Sequence, residues 1–392
     1  MIFRPVLQSL CAGAVVLAAG VTSIAPSAAL APHPGQRPPG STRESGSRAP
    51  ALPDQVSALS WVVADATTGD VLASKDAHRR LPPASTLKTL FALTVLPHLP
   101  PRLLHTVTRA DLAGVGKGSS RIGVAEGRAY RVDDLWRGVF LSPGGDAVHV
   151  LASLNGGWRK TRDEMRRRAV QLGAEDTRVM SPDGDDIPGQ YSSAFDLAVF
   201  GRTGLGDPAF ARYCSMSSTE FPGGLDSSGR AGAPFEVRNT NRLLVGSRDV
   251  SPYPGLIGVK NGYTAKAGNT LIAAAHRGSH TLIVTVMNPQ DSSVYEDARA
   301  LLDWGFEASG KVRPTGSLRP AIARTTTVTA TGPEQPDAGQ PDAGQLGPAG
   351  SPAVSHHSTI KKASTVGGFA AVGALLVSLS ASLWLLRRRM RR

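Results

Sequence analysis

Two stretches poor in apolar side chains, residues 32–54 and 311–365, confine any hydrophobic core of this 392-residue chain to what lies between them. The first is rich in Pro, Gly, Ser and Arg. The second carries the tandem repeat Pro336-Asp337-Ala338-Gly339-Gln340 and Pro341-Asp342-Ala343-Gly344-Gln345. Such composition cannot bury enough apolar surface to offset the entropy lost on ordering. We therefore expect a flexible lead-in over 32–54, a disordered stalk over 311–365, and one folded domain over 55–310. Its length of about 255 residues suffices for a core of its own.

The two ends set the expected compartment. Residues 1–31 hold one charge, Arg4, then an apolar run that includes Ala12-Gly13-Ala14-Val15-Val16-Leu17, and finish in the small residues Ser27-Ala28-Ala29-Leu30-Ala31. That layout is the pattern of a signal peptide. Val366–Leu386 is a 21-residue run without a charge, followed by the basic tail 387–392. It is long enough to cross a hydrocarbon core of ~30 Å as one helix. Arginines favour the cytoplasmic side, so the domain is expected outside the cell, held by a C-terminal transmembrane helix. The formal charge of +12 falls to +6 once Arg4 and the five terminal arginines are set aside. A mildly basic ectodomain suits an anionic wall or membrane surface, and nothing in it concentrates positive charge as a nucleic-acid site would. Cys11 leaves with the leader, so Cys214 has no partner within the chain.

Within 55–310, Ala58–Ala64 and Asp70–Ser74 predict a hairpin around Thr67-Thr68-Gly69. A helix is expected from Ser85 to Leu96, after Pro82-Pro83. Loops and amphipathic helices fill the middle, with Arg159–Leu172 and Ser192–Thr203 the clearest helices. Gly255–Tyr263, Asn269–His276 and Thr281–Met287 predict an antiparallel meander, and Asp291–Ser309 a closing helix that turns Leu301, Leu302 and Trp304 to the core. Strands at both ends with helices between predict an α+β fold: an antiparallel sheet flanked by helices, its first and last strands adjacent.

Ser85-Thr86-Leu87-Lys88 is an S-x-x-K tetrad. Residues three apart on a helix share a face, so the lysine amine reaches the serine hydroxyl and acts as the base that a serine nucleophile needs. Ser358-Thr359-Ile360-Lys361 matches equally well but falls in the stalk. A second candidate is Lys260-Asn261-Gly262-Tyr263-Thr264, at the end of an apolar strand. A lysine there can hold a carboxylate, and Gly262 permits close approach of backbone to a ligand. His276 and His280 flank a hairpin turn, and no HExxH, G-x-S-x-G or phosphate-loop pattern occurs. We expect neither a metal nor an organic cofactor.

S-x-x-K followed much later by K-[TS]-G is shared by penicillin-binding proteins and class A β-lactamases. The segments Pro83–Lys88, Gly118-Ser119-Ser120 with Glu126-Gly127, Gln190–Ala198, Asn239–Leu244 and Gly258–Thr264 resemble the low-molecular-weight D-alanyl-D-alanine carboxypeptidases. The resemblance covers about 55–310 and implies a DD-peptidase or serine β-lactamase-like fold. It departs at two places. Asn261 stands where K-T-G has threonine. The middle motif, usually S-x-N before Asp-Ala, is here Leu141-Ser142-Pro143-Gly144-Gly145-Asp146-Ala147. Gly145 takes the asparagine's place, Pro143 the serine's, and Ser142 lies one residue early.

What the resemblance implies is a serine peptidase acting on peptidoglycan stem peptides. Ser85 attacks the terminal D-Ala-D-Ala carbonyl and Lys88 is its base. The backbone N–H groups of Ser85 and Tyr263 hold the oxyanion, and Lys260 with Asn261 holds the terminal carboxylate. β-Lactams are the expected inhibitors. Ser142 is the candidate for the displaced middle-motif serine, and the loss at Gly145 implies reduced activity. Two alternatives stay open: a wall-peptide binder of weak turnover, and a serine β-lactamase-like hydrolase.

Overall fold

The structure, a computed structural model, describes residues 49–318 apart from 117, 118, 143 and 227. The expected leader 1–31, the run 366–386 and most of the lead-in and stalk lie outside those residues. Among the described residues no helix is long and apolar enough to cross a membrane.

The chain opens with β1 (Ala58–Asp65) and β2 (Asp70–Lys75). Their turn is held by the Asp65 carboxylate, which accepts the N–H groups of Thr67 and Thr68 at 2.8 and 2.9 Å. A 3₁₀ turn, Ala84–Leu87, runs into α1 (Lys88–Val95). β3 (Leu104–Thr106) pairs with β4 (Ala129–Arg131) across a long loop. Then come α2 (Val132–Leu141), α3 (Gly145–Leu154), α4 (Trp158–Gln171), α5 (Ala194–Leu205) and α6 (Pro208–Cys214). β5 (Ser218–Phe221) and β6 (Phe235–Arg238) form a second small pair, followed by the single turn α7 (Arg242–Val245). The meander β7 (Leu256–Thr264), β8 (Gly268–Arg277) and β9 (His280–Pro289) leads to α8 (Val294–Ala308) and the short β10 (Gly316–Ser317).

One antiparallel sheet organises the whole, in the order β10-β2-β1-β9-β8-β7. The first strand does meet the last long one, with Ala58 opposite Pro289 and Asp65 opposite Leu282. Side chains alternate across a strand, and both faces of this sheet are covered. Trp61, Val63, Ala273 and Val284 pack under α8 with Leu301, Leu302 and Trp304. Val62, Ala64, Ile272 and Ile283 face the helical layer built on Phe91, Trp136, Phe140 and Phe200. The sheet's outer edge, β7, is thereby left beside the start of α1.

The predicted hairpin, meander and closing helix are all present. The helix expected from Ser85 is corrected at its start, because Ser85 sits in the 3₁₀ turn and the α-helix begins only at Lys88. Among the described residues the middle holds six helices, α2 to α7, of which two, α4 and α5, were expected. The fold also reaches beyond 55–310. Pro50 accepts a hydrogen bond from the Trp304 indole at 3.2 Å, and Leu318, after β10, is buried.

Candidate active site

The nucleophile turn is built by a constrained backbone. Ala84 sits at φ +50, a left-handed conformation rare for a residue with a Cβ. The opposing loop makes room with Gly184, where a Cβ would come within 2.1 Å of the Ala84 carbonyl. Thr270 on β8 donates to the Pro83 carbonyl at 3.0 Å, tying the turn to the sheet. In a 3₁₀ turn residues i and i+3 eclipse, so Lys88 lies directly behind Ser85. Its Nζ is 2.7 Å from Ser85 Oγ and donates to the Asp183 carbonyl at 2.7 Å. Ser85 is half-buried and Lys88 is 3% exposed. Burial pulls the Lys88 pKa down against the opposing charges of Asp183, Asp185 and Asp146. A lowered lysine pKa at a serine's side is the condition for a general base.

β7 closes the site from the other side. Its bulge at Leu256–Gly258 brings Gly258, at φ +114, onto the Cys214 carbonyl, which a Cβ would approach to 2.2 Å. Beyond it Lys260 is buried, donates to the Asn261 carbonyl at 3.0 Å, and has its pKa lowered to about 7 by burial and by the nearby Lys88 charge. Gly262 lies against the nucleophile: a Cβ there would be 2.6 Å from the Ser85 nitrogen. The Asn261 side chain accepts from the Thr240 hydroxyl at 3.0 Å. Tyr263 is 68% exposed at the rim. Ser85, Lys88, Lys260, Asn261, Gly262 and Tyr263 are thus brought together from segments far apart in sequence.

The middle motif is divided. Ser142 caps the end of α2, and its carbonyl accepts from the Gly144 N–H at 2.8 Å. Among the described residues no hydrogen bond joins the Ser142 hydroxyl to Ser85 or Lys88; Pro143 lies outside them. Gly145 is buried in the first turn of α3, its N–H donating to the Ser120 carbonyl at 2.8 Å. Asp146, 2% exposed, accepts from the N–H groups of Ile122, Gly123 and Val124 at 3.0, 2.8 and 2.9 Å. The Asp-Ala half of the motif therefore fastens the loop before Val124 onto α3.

The loop 181–190 supplies three aspartates, Asp183, Asp185 and Asp186, that the sequence reading passed over; Gln190 lay in a segment it had singled out. Gln190 accepts from the N–H groups of Met180 and Ser181 and donates to the Asp185 carbonyl at 2.6 Å, holding the loop in shape. Asp186 accepts from Thr264 Oγ1 at 2.7 Å and from the Lys266 N–H, latching the loop to the β7–β8 turn. Asp183 accepts from Ser181 Oγ, and its Oδ2 lies 4.0 Å from Nε2 of the buried His149. The run Asp183-Gly184-Asp185-Asp186, next to Gln190, was the visible signal. Its meaning depends on contacts with Lys88 and Ser119 that no local pattern encodes.

A family model described as D-alanyl-D-alanine carboxypeptidase matches residues 46–291. The D-alanyl-D-alanine carboxypeptidase DacB2 of Mycobacterium tuberculosis is 35% identical over 256 residues, which cover 64% of this chain and 82% of that protein. DacD of Escherichia coli is 33% identical, the match covering 64% of each chain. Among solved structures, a D-alanyl-D-alanine carboxypeptidase from Mycobacterium tuberculosis H37Rv superposes with a TM-score of 0.61 at 34% identity, over 70% of this chain and 99% of that one. A mutant of the Streptomyces K15 DD-transpeptidase gives 0.59 at 27% identity, over 65% and 99%. These agree with the mixed helix and antiparallel-sheet architecture.

Proposed function

Because this chain belongs to the D-alanyl-D-alanine carboxypeptidase family, whose members are serine hydrolases, we propose that it trims the terminal D-alanine of peptidoglycan stem peptides through an acyl-enzyme on Ser85. The observation that carries the reading is the 2.7 Å approach of Lys88 Nζ to Ser85 Oγ, with Gly262 of β7 packed against the Ser85 nitrogen. Lys88 takes the hydroxyl proton as Ser85 Oγ bonds to the substrate carbonyl carbon. The backbone N–H groups of Ser85 and Tyr263 receive the oxyanion. Lys260, as its cation, and the Asn261 amide face the terminal carboxylate. Collapse of the intermediate breaks the peptide bond, and the departing amine of D-alanine takes the proton from Lys88. Water, giving a proton to the now neutral Lys88, then attacks the ester carbonyl, and Lys88 returns that proton to Ser85 Oγ as the ester bond breaks.

Gly145 offers no side-chain amide to orient the substrate's peptide group. Losing one positioned hydrogen bond in a transition state costs about 10²–10³ in rate, so turnover is slowed rather than abolished. β-Lactams, whose carbonyl mimics the scissile one, acylate the same serine. The apolar run at 366–386 and its arginine tail, with the leader-like 1–31, support an exported protein held at the cell membrane.

Labelled penicillin tests the assignment. Mass spectrometry is expected to place the adduct on the peptide containing Ser85, Ser85→Ala to abolish it, and Ser358→Ala to leave it unchanged. An adduct that survives Ser85→Ala refutes the role.

A further inference from the structure

Ser119 stands where the middle motif has lost its side chain. A Cβ built on Gly145 comes 3.6 Å from Ser119 Cβ and 3.0 Å from the Ser120 carbonyl, so the 119–120 segment fills the room beside residue 145. The Gly145 N–H bonds that segment, and Asp146 holds the three N–H groups that follow it. From this position Ser119 Oγ donates to Asp185 Oδ2 at 2.6 Å. Asp185 is two residues past Asp183, whose carbonyl accepts from Lys88, and its own N–H is turned onto the Asp183 carboxylate at 3.2 Å.

We propose that Asp185, clamped by the Ser119 hydroxyl, is a positioning residue for Lys88 and supplies from a neighbouring loop the support that Gly145 no longer gives. The proposal rests on Lys88 being the base of Ser85 acylation. When Ser85 yields its proton, Lys88 becomes a buried ammonium. A fixed carboxylate nearby stabilises that cation, and the Ser119 bond fixes the carboxylate. Asp185 contributes to the field at Lys88 together with Asp183 from the same loop and Asp146 from α3. Lys260 on β7 lies on the other side, its own pKa lowered by the Lys88 charge. His149 on α3, stacked on Trp158, faces Asp183, Asp185 and Asp146. Ser142, the nearer hydroxyl in sequence, makes no comparable contact among the described residues.

The full chain is titrated with labelled penicillin, and the acylation rate is followed against pH. Removing the Asp185 charge lets the Lys88 pKa fall further. In Asp185→Asn the acidic limb of the profile is therefore expected to move to lower pH by up to about one unit, while the plateau rate falls about tenfold. Asp185→Glu returns the limb toward its original position. Ser119→Ala, which keeps the charge but frees the carboxylate, lowers the plateau with a smaller displacement of the limb. A plateau loss in Asp185→Asn with an unmoved limb is a purely structural effect and overturns the proposal, as does a wild-type rate in Ser119→Ala. Wild type that fails to label on Ser85 overturns the underlying reading, and this proposal with it. Labelling on Ser85 with an unmoved limb overturns this proposal alone.

Discussion

Gly262 and Gly145 are both glycines of the site, and they do opposite things. At Gly262 the absent side chain lets β7 touch the Ser85 nitrogen, so adding even one methyl pushes strand and nucleophile apart. At Gly145 the absence leaves no side-chain amide, and the Ser120 carbonyl and Ser119 Cβ lie 3.0 and 3.6 Å from where a Cβ would be. Gly262→Ala needs no unusual backbone angle, since no left-handed φ is found there. Its Cβ still meets the Ser85 nitrogen at 2.6 Å and Thr270 Oγ1 at 2.8 Å. The fold is expected to survive with a small loss of melting temperature. Acylation by penicillin is expected to fall about 10²-fold, the scale of a misplacement near 1 Å at a reacting atom. A folded Gly262→Ala protein with wild-type acylation would show that β7 does not position the nucleophile.

The elements that were legible in the sequence are those whose side chains repeat with the period of their backbone. Ala58–Asp65 and the meander 256–289 are long apolar runs broken by turn residues, and α8 carries its apolar stripe with a Ser293 cap. α2 and α3 were not expected because their apolar residues do not repeat as one stripe: α2 ends in the buried run Gly138–Leu141, and residues 145–152 of α3 are all buried. β3 to β6 are only three or four residues long and half exposed, too short for any pattern to rise above chance. Lys88 and Lys260 were legible by motif and Ser119 lay in a family-like segment, whereas Asp183 and Asp185 act through tertiary contacts alone. α5 shows how one element supports the site from behind. Asp196, N-capped through Ser193, accepts from the Asp176 N–H at 2.9 Å and from Thr177 Oγ1 at 2.7 Å, fixing the segment that leads into the 181–190 loop. Burial chiefly, with the Asp176 charge, raises its pKa from 3.8 to about 7. A carboxyl raised in the folded state binds its proton more tightly there, so its contribution is present below its unfolded pKa and is lost as pH rises through about 7. Asp196→Asn, which does not titrate, removes that dependence. Denaturant titrations of variant and wild type are expected to show the variant gaining relative stability between pH 4 and 7, by up to about 4 kcal/mol. A stability difference independent of pH would mean that Asp196 is not raised.

At the scale of the molecule, the described fold continues past α8 to Leu318. Thr315 donates to the Val71 carbonyl at 2.8 Å and Leu318 to that of Gly69 at 2.7 Å, so the segment after α8 finishes the sheet beyond β2. Leu318 is 2% exposed and packs on the core layer shared with Val62 and Val71. Burying one leucine side chain contributes about 1.5–3 kcal/mol. A chain cut after Leu318 is therefore expected to keep the stability of the domain, whereas one cut after Arg313 loses the edge strand and this leucine together. At roughly 2–4 °C per kcal/mol for a domain of this size, the shorter chain is expected to melt about 3–12 °C lower. The same pair tests the proposed anchor, since both lack Val366–Leu386 and the terminal arginines. If that run holds the protein at the membrane, cells making the chain that ends at Leu318 release it to the medium in penicillin-binding form, and cells making the full chain retain it in the membrane fraction. Equal melting of the two truncations would remove β10 from the domain. Membrane retention of the Leu318 product would remove the 366–386 run as its anchor.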